Sequence, residues 1–372
     1  MRLLHYQPHF LGPESGTGNA VRGWCEAFVR AGHQVAVVCD RGTRDRPAPP
    51  GVDVVPVEHV GRGSLVVPRL PAGILRRADL VVLHGGWMLN NVVVGRACAR
   101  AGVPYVVAPH GVYSPEILAR RPALKRGWNW AIERGHLRRA LAAHVFFPEE
   151  VGYLDRLGVD IPALVVPNGV TYPEEVTWDG GSGGYLLWLG RFDPSHKGLD
   201  LLIRAIAALP PTERPEVRLH GPDWRGHRDA MRALARELSV ESWVRVGDPV
   251  YGSGKWDLLR RSAGFVYPSR WDACPVSPAE AAAVGVPILV TRYPLGSFLA
   301  ANGAAIQADA RPDSIAAAIT RIRSSAGAEV GRTALRVARR ELSWDAVAGS
   351  WLRQLEEVPA FAHPAAPQVG DA

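Results

Sequence analysis

Short, almost continuous apolar runs alternate with longer amphipathic segments along the first half of the chain. Runs rich in Val, Ile and Leu indicate strands buried on both faces of a parallel sheet, and the segments between them indicate helices. We predict strands at Arg2–Tyr6, Gln34–Cys39, Val52–Val55, Leu80–Leu83, Tyr105–Ala108, Ala143–Phe147 and Ala163–Val166. This half therefore predicts a doubly wound α/β domain over residues 1–170.

The alternation pauses at residues 171–184, TYPEEVTWDGGSGG, which show no apolar period and which we interpret as a linker. It then resumes over 185–343, with strands predicted at Tyr185–Leu189, Val217–Leu219, Trp243–Val246, Gly264–Tyr267 and Pro287–Val290. The 372 residues thus fit two Rossmann-like domains. A last helix is predicted from Trp344 to about 357, and the Pro/Ala-rich tail 358–372 is predicted to be loose.

The composition is that of a globular protein, because 47% of the residues are hydrophobic and 21% are charged. No apolar run approaches the roughly 20 residues that cross a bilayer, and the N-terminus does not have the pattern of a signal peptide. The four cysteines are scattered without a CxxC pair, which favours a reducing, cytoplasmic location. The net charge of +7 allows anionic ligands, nucleic acid or an anionic membrane as partners and selects none of them.

The most specific segment is YPSRWDACPVSPAEAAAVGVPILVT, at Tyr267–Thr291. A helix is predicted to begin near Ser277, so the amides of Val276 and Ser277 can bind a phosphate at the positive end of its dipole. Glu280, predicted in the first turn, can accept hydrogen bonds from a ribose diol, and Asp272 can accept from sugar hydroxyls. Taken singly, each carboxylate is better explained by a structural role, Glu280 as a helix-start acid and Asp272 as a turn former.

A second segment, WLGRFDPSHKGLD, places Arg191 and Lys197 on the loop between a strand and a helix. Two cations on one such loop can clamp a diphosphate, Arg through paired hydrogen bonds and Lys as a mobile point charge. Taken singly, each is as readily explained as a solvated loop cation.

In this order, G-R-F-x(4)-K-G followed by P-S-x-x-D-x(7)-E-A-x-A-x-G-x-P resembles the donor-site signature of glycosyltransferase family 4. The resemblance covers about residues 1–357 and includes GHQV at Gly32–Val35, VVPNGV at Val165–Val170, Gly247 before the loop that meets the base, and LSWDAVAGSWL near the end. It implies the GT-B fold, in which two Rossmann-like domains face a central cleft. The C-terminal domain then holds the nucleotide sugar, and helix 344–357 returns to the N-terminal, acceptor-binding domain.

The resemblance also implies an activity, namely retaining transfer of a sugar from a nucleotide diphosphate sugar to a hydroxyl group. The acceptor would be a glycan, a glycolipid or a small natural product, in bacterial polysaccharide or glycoside biosynthesis. The implied donor-binding residues are Gly16, Gly18, Arg191, Lys197, Gly247, Asp272, Val276, Ser277 and Glu280. Asp272 stands where the family usually has Glu, so the identity of the sugar stays open.

The first domain should contribute to the site from the carboxyl ends of its strands, where ligands bind in open α/β sheets. His84 and Trp87 follow one strand and are candidates for acceptor binding, and His110 follows another. By resemblance, the loop of His110 lies over the donor sugar, which makes His110 a candidate catalytic residue with Arg191, Lys197 and Asp272. Purely structural histidines are the alternative explanation.

Glycines 16 and 18 belong to a glycine-rich loop, 12–18, that follows the first strand. Such a loop allows a close approach of the backbone to a diphosphate, although a plain tight turn would have the same composition.

The segment Arg120–Arg139 reads RRPALKRGWNWAIERGHLRR and is predicted to form a basic helix. Leu124, Trp128 and Ile132 form an apolar stripe that Gly135 can extend. Such a helix can attract an anionic acceptor or the inner face of a membrane. A solvated basic face on a packed helix explains the same pattern.

No two aspartates stand two residues apart, so the sequence contains no DxD metal clamp. Arg191 and Lys197 can neutralise the leaving diphosphate instead, and we expect metal-independent transfer without a cofactor.

Three alternatives belong to other classes of protein. A nicotinamide-dependent Rossmann oxidoreductase needs GxGxxG after the first strand and an acid after the second. This chain spaces Gly12, Gly16 and Gly18 differently, whereas Asp40 does meet the second requirement. A nucleic-acid binder is suggested by charge alone. An inactive GT-B protein that only binds the sugar nucleotide is disfavoured because Arg191, Lys197 and Glu280 are all present.

Overall fold

The structure is a computed structural model that describes residues 1–12, 15–41 and 46–362. The chain forms two compact units. The first contains Met1–Gly169 and the helices from Trp344 onward, and the second contains Val170–Ser343. Along the described residues, no helix combines the length and apolar character that crossing a bilayer requires.

Within the described residues, the first unit is built on a parallel sheet of seven strands in the order β3-β2-β1-β6-β7-β8-β9. The strands of this unit are β1 (Arg2–Tyr6), β2 (Gln34–Asp40), β3 (Val52–Val57), β4 (His59–Val60), β5 (Val67–Pro68), β6 (Leu80–His84), β7 (Tyr105–Ala108), β8 (Ala142–Val145) and β9 (Ala163–Val165). Strands β4 and β5 form a separate antiparallel ribbon. The helices are α1 (Gly16–Arg30), α2 (Leu89–Ala101), α3 (Pro115–Leu118), α4 (Pro122–Trp128), α5 (Arg134–Leu137) and α6 (Val151–Arg156).

The second unit has a parallel sheet of six strands within the described residues, in the order β12-β11-β10-β13-β14-β15. Its strands are β10 (Leu186–Leu189), β11 (Val217–His220), β12 (Val244–Gly247), β13 (Gly264–Tyr267), β14 (Ile288–Val290) and β15 (Ile306–Gln307). Its helices are α7 (Pro194–Lys197), α8 (Leu199–Ala208), α9 (His227–Glu237), α10 (Gly252–Arg261), α11 (Val276–Val284), α12 (Pro294–Ala301), α13 (Pro312–Ile322) and α14 (Ser325–Glu341). The chain then adds α15 (Trp344–Glu356) and α16 (Pro359–Ala362) to the first unit.

The two layers of core explain why the strands are almost continuously apolar. Leu80 and Val82 of β6 join the cluster that contains α1 and α15, whereas Val81 and Leu83 join the cluster on the opposite face. Because successive side chains point to opposite faces, a strand covered on both faces must be apolar at every position. The structure confirms the doubly wound α/β prediction and each predicted strand, with ends shifted by at most two residues. The sequence analysis missed β4, β5 and β15.

Helix α15 docks on the first unit through tryptophans. Trp344 lies against Gly23 and Gly169, where a Cβ atom would overlap its indole ring. The side chain of Gln354 also bonds to the backbone of Val165, accepting from its N–H at 2.8 Å. These two glycines are therefore required by the docking of α15.

The segment predicted as a linker, 171–184, belongs to the second unit and makes hydrogen bonds with the rest of it. The amide of Trp178 donates to the carbonyl of Val284 at 2.9 Å, and that of Gly183 donates to Arg261 at 2.8 Å. Of the tail predicted to be loose, 358–372, residues from 363 onward lie outside the described residues, as do residues 13 and 14 of the glycine-rich loop.

Candidate active site

The loop after β10 carries the two predicted diphosphate cations and is shaped by glycines. Gly221 lies against the carbonyl group of Gly190, so a side chain at 221 would overlap backbone. Gly198 has a φ of 66° and lies against the carbonyl of Pro268, a position that suits glycine alone. These close approaches fix the backbone on both sides of Lys197.

Lys197 and Asp272 form an ion pair in the second unit. The Lys197 Nζ atom lies 2.5 Å from Oδ2 of Asp272, and the Tyr267 hydroxyl donates to the same oxygen at 3.1 Å. Both side chains are largely buried, with 12% and 15% of their surfaces exposed. The pKa of the Tyr267 hydroxyl is raised well above its usual range by burial and by the Asp272 charge. The structure thus brings together two residues that the sequence analysis assigned to one site.

Arg191 projects from the same loop and is more exposed. Its guanidinium carbon lies 4.7 Å from the ring centroid of Trp224, and its Nη2 atom lies 3.8 Å from Asp193. A cation over an indole face is oriented without being neutralised. The loop therefore offers one cation in close contact with a carboxylate and another, 3.8 Å from its carboxylate and 45% exposed, that is accessible to an anion.

His196 is a residue of this loop that the sequence analysis missed. Its ring stacks on Trp271 with centroids 3.5 Å apart, and its Nε2 atom lies 3.7 Å from Oδ2 of Asp272. Burial, followed by the charge of Lys197, lowers the pKa of His196 to about 4. A neutral imidazole therefore lies beside the ion pair. Its position between Ser195 and Lys197 in the SHKG motif was the available signal.

Helix α11 begins at Val276, so Val276 and Ser277 occupy its first two positions as predicted. Backbone N–H groups of a first turn have no intrahelical acceptor and are suited to an anion. The Ser277 hydroxyl donates to the carbonyl of Leu189 at 2.9 Å, which ties the start of α11 to the end of β10. The helix N-terminus and the cationic loop therefore belong to neighbouring strand ends.

Glu280 lies beyond the first turn of α11, which corrects the prediction of a first-turn acid. The Nζ atom of Lys255, on α10, donates to Oε1 of Glu280 at 2.6 Å. Lys255 also lies 4.3 Å from the ring centroid of Trp256. The sequence analysis missed Lys255, because nothing in the chain order links α10 to Glu280.

Gly247 ends β12 beside His220, the last residue of β11. The His220 ring fills the space that a side chain at 247 would need. Nδ1 of His220 lies 3.0 Å from the carbonyl oxygen of Asp248. The glycine predicted at the base-binding loop is therefore also a packing requirement.

In the first unit, His84 and His110 are adjacent, as their positions after neighbouring strands predict. Nδ1 of His84 lies 2.9 Å from Nε2 of His110, and Nε2 of His84 lies 2.9 Å from Nδ1 of His5. Burial lowers the pKa of His110 to about 3 and that of His84 well below its usual range, with repulsion between histidine charges as the next cause. The sequence analysis missed His5, which lies inside β1.

Trp87 and His110 both have left-handed backbones, with φ of 62° and 54°. Such values are uncommon outside glycine and draw attention to function when the surroundings hold them. Trp87 is held by Glu133, whose Oε1 atom accepts from the Trp87 amide at 2.9 Å and from the Tyr113 hydroxyl at 2.6 Å. Oε2 of Glu133 accepts from the Trp128 indole at 2.8 Å. This buried carboxylate, like His5, is a residue of the first unit that the sequence did not reveal.

Gly16 and Gly18 lie in the first turn of α1 and not in the preceding loop, which corrects the predicted loop boundary. The hydroxyl of Ser15, the N-cap residue, accepts from the Gly18 amide at 3.0 Å. One of the amides expected to face a diphosphate is therefore bonded to the cap.

The predicted basic helix, Arg120–Arg139, is three pieces: α4, a π-helical turn over Asn129–Glu133, and α5. A π turn inserts an extra residue and rotates the following face. The predicted apolar stripe is not buried along its length, because Gly135, after the turn, is exposed and Leu124, which precedes the turn in α4, is 63% exposed. Trp130 is 77% exposed. The segment therefore presents two large apolar side chains among its cations.

Among the described residues, no group of three or more His, Cys, Asp or Glu side chains is arranged to hold a metal ion.

Two family models match the chain. The first, described as a glycosyl transferase 4-like domain, matches residues 15–169, and the second, glycosyl transferases group 1, matches residues 183–325. A comparison with curated protein sequences gives no significant match.

Solved structures that superpose on this chain include glycosyltransferases and a sucrose-phosphate synthase. Sucrose-phosphate synthase from Thermosynechococcus elongatus superposes with a TM-score of 0.76 at 17% identity, over 96% of this chain and 99% of that one. HepE from Anabaena, in complex with UDP, superposes with a TM-score of 0.74 at 16% identity, over 96% of this chain and 100% of HepE. WaaG, a glycosyltransferase of lipopolysaccharide biosynthesis, superposes with a TM-score of 0.68 at 14% identity, over 96% of this chain and 99% of WaaG. The chain therefore belongs to glycosyltransferase family 4 and has the two Rossmann-like domains of the GT-B fold.

Proposed function

We propose that the protein is a retaining, metal-independent glycosyltransferase that moves a sugar from a nucleotide diphosphate sugar to an acceptor hydroxyl group. The observation that carries the proposal is the Lys197–Asp272 pair on strand ends that also present Arg191 and the N-terminus of α11. HepE, which shares this fold, has been solved with UDP and with UDP-glucose, which supports a nucleotide sugar as the donor.

The second unit, with 185–343 as its predicted extent, is proposed to bind the donor. Arg191, Lys197 and the amides of α11 would receive the diphosphate, because all of them offer hydrogen-bond donors or positive charge. Asp272 would accept from hydroxyls of the sugar and Glu280 from those of the ribose. Gly247 would allow the base to approach the backbone.

The first unit is proposed to bind the acceptor, through His84 and Trp87, while His110 contacts the transferred sugar. The acceptor oxygen would attack on the face from which the diphosphate leaves, and a leaving phosphate oxygen would take its proton. Arg191 and Lys197 would stabilise the charge that develops on the diphosphate. Each preorganised donor of this kind typically contributes about 10²–10³ in rate.

The proposal is tested by measuring the unfolding temperature with a panel of nucleoside diphosphates and nucleotide sugars, since a ligand that binds the folded state stabilises it. The stabilising nucleotide sugar is then incubated with candidate acceptors, and the anomeric configuration of the product is determined by NMR. We expect the configuration of the donor to be retained and EDTA to leave the rate unchanged. Stabilisation without any transfer would indicate a binding protein, and a rate restored only by Mg²⁺ or Mn²⁺ would refute metal independence.

We also propose that the Arg120–Arg139 segment contacts an anionic membrane at the inner membrane face. Exposed Leu124 and Trp130 lie among exposed Arg121 and Arg126, a combination suited to the interface of anionic lipids. Flotation with vesicles that contain phosphatidylglycerol tests this. We expect binding that is lost with Trp130→Ser, retained with Tyr251→Ser on the other unit, and absent on neutral vesicles.

A further inference from the structure

Three histidines of the first unit form a hydrogen-bonded chain across the sheet. His5 belongs to β1, His84 ends β6, and His110 follows β7. Both links measure 2.9 Å, from Nδ1 of His5 to Nε2 of His84 and from Nδ1 of His84 to Nε2 of His110. The rings of His5 and His84 are also stacked, with centroids 5.2 Å apart and planes inclined by 10°.

Each ring in this chain carries one ring proton, because burial keeps the imidazoles uncharged. The pKa of His5 is lowered to about 3, as is that of His110. A neutral imidazole donates through one nitrogen and accepts through the other. The two links must therefore run in the same direction, and the tautomer of one ring determines the tautomers of all three.

The far end of the chain selects the direction. Nε2 of His5 is buried and has no hydrogen-bond partner among the described residues. If the chain ran from His110 towards His5, this atom would carry an orphaned N–H group inside the core. If it ran from His5 towards His110, the atom would carry only a lone pair. Orphaned buried N–H groups are the rarer case in native structures, so the second direction is favoured.

We propose that His5 and His84 are positioning residues that hold His110 as the Nδ1–H tautomer. His5 Nδ1–H donates to His84 Nε2, and His84 Nδ1–H donates to His110 Nε2. His144, whose Nε2 atom lies 2.9 Å from the Val166 carbonyl, uses its own proton there and leaves the chain undisturbed.

The consequence concerns the kind of contact that His110 can make. Its Nδ1 atom has no partner among the described residues, and the residue is partly exposed. With its Nε2 lone pair occupied by His84, His110 would offer an N–H donor to an oxygen of the sugar and could not act as a general base. This inference rests on the proposed function, in which His110 contacts the transferred sugar.

The test is long-range ¹H–¹⁵N NMR of the full chain with ¹⁵N-labelled histidine near pH 7.5, with His110 assigned from the spectrum of His110→Gln. We expect His110 to be protonated at Nδ1. His5→Phe removes the donor at the head of the chain and should produce a mixture of His110 tautomers, whereas His5→Gln, whose amide can donate, should restore the single form.

A His110 protonated at Nε2 in the unmodified protein would overturn the proposal, as would an unchanged tautomer in folded His5→Phe. The first of these readings is made on the unmodified protein, with His110→Gln serving only to assign the His110 signal, so it stands even where His5→Phe fails to fold. Because the spectrum does not depend on turnover, a protein that transfers no sugar would refute the proposed function and leave the tautomer assignment intact.

Discussion

The carboxylate of Asp272 lies 2.5 Å from the ammonium group of Lys197, 75 residues earlier in the chain. Two loops that follow neighbouring parallel strands, β10 and β13, bring the pair together. Within the proposed mechanism, Asp272 orients the lysine and accepts from the sugar, while Lys197 attracts the diphosphate. The two roles are separable by experiment.

Asp272→Asn should separate binding of the nucleotide from transfer. The change removes a charge that competes with the diphosphate for Lys197, so the affinity for the free nucleoside diphosphate should be unchanged or higher. Transfer should fall by about 10–150-fold, the equivalent of one charge-assisted hydrogen bond of about 1.5–3 kcal/mol. Calorimetric titration and kcat measurements with the same preparation check this. Parallel losses in affinity and kcat would contradict the assignment.

Lys255→Ala should lower stability because it leaves the carboxylate of Glu280 in a largely buried position without its ammonium partner. We expect a loss of about 1–3 kcal/mol in the free energy of unfolding, less than for a fully buried pair because Lys255 is partly exposed. Adding Glu280→Gln should recover most of the loss. Urea unfolding of the two single variants and the double variant measures the coupling, and additive effects would show that the pair does not interact.

Gly23→Ala should destabilise the first unit, because its methyl group would overlap the Trp344 indole and displace α15. Overpacking of this kind typically costs about 1–3 kcal/mol. Gly152→Ala is the matched control, since Gly152 lies in helix α6 and a Cβ there meets open space. The control should be neutral or stabilising by up to about 1 kcal/mol. Thermal unfolding of both variants measures the difference. Equal shifts in the unfolding temperature would contradict the docking role of Gly23.

Acid should weaken the first unit below about pH 6.5. Four histidines of this unit, of which all but His110 are fully buried, have pKa values depressed by desolvation, to about 3 for His5 and His110 and about 4 for His136 and His144. Their unfolded forms bind protons first, so stability falls as the pH drops, by up to about 1.4 kcal/mol per pH unit for each histidine.

One carboxyl group opposes this trend. Burial raises the pKa of Glu150 to about 7 in the folded protein. The free energy that this group contributes to folding therefore increases as the pH falls towards the pKa that Glu150 has in the unfolded chain. The several histidines outweigh the single acid, and the midpoint of urea unfolding should be lower at pH 5.5 than at pH 7.5. A midpoint that is equal or higher at pH 5.5 would show that these histidines are not buried as neutral rings.

The sequence predicted the strands well because a parallel sheet covered on both faces leaves a continuous apolar signal. The motifs that resemble the family's donor site also predicted Lys197 and Asp272 for one site, and the structure pairs these two side chains. Residues whose roles depend on contacts across the fold gave no such signal. In the sequence, Lys255 looks like any exposed helix cation, and its pairing with Glu280 arises only because α10 packs beside α11. Glu133 accepts its several hydrogen bonds only because it lies in the π turn.

Periodicity failed where the backbone departs from regular geometry. The π-helical turn at 129–133 divides the predicted basic helix into separate pieces, and Leu124, in the piece before the turn, is exposed. The sequence did not single out His5, because a polar residue inside a buried strand gives no sign of which residue it bonds to in the fold.

Lys197→Ala tests the central claim most directly. The variant should retain the circular dichroism spectrum of the parent, because Lys197 ends the four-residue helix α7 and belongs to no strand of the sheet, although its side chain is largely buried. Its kcat should fall at least about a hundredfold, as expected for loss of a preorganised cation at the leaving diphosphate. Arg204→Ala, on the exposed face of α8, is the control cation and should retain full turnover. Near-normal kcat in a folded Lys197→Ala protein would contradict the account.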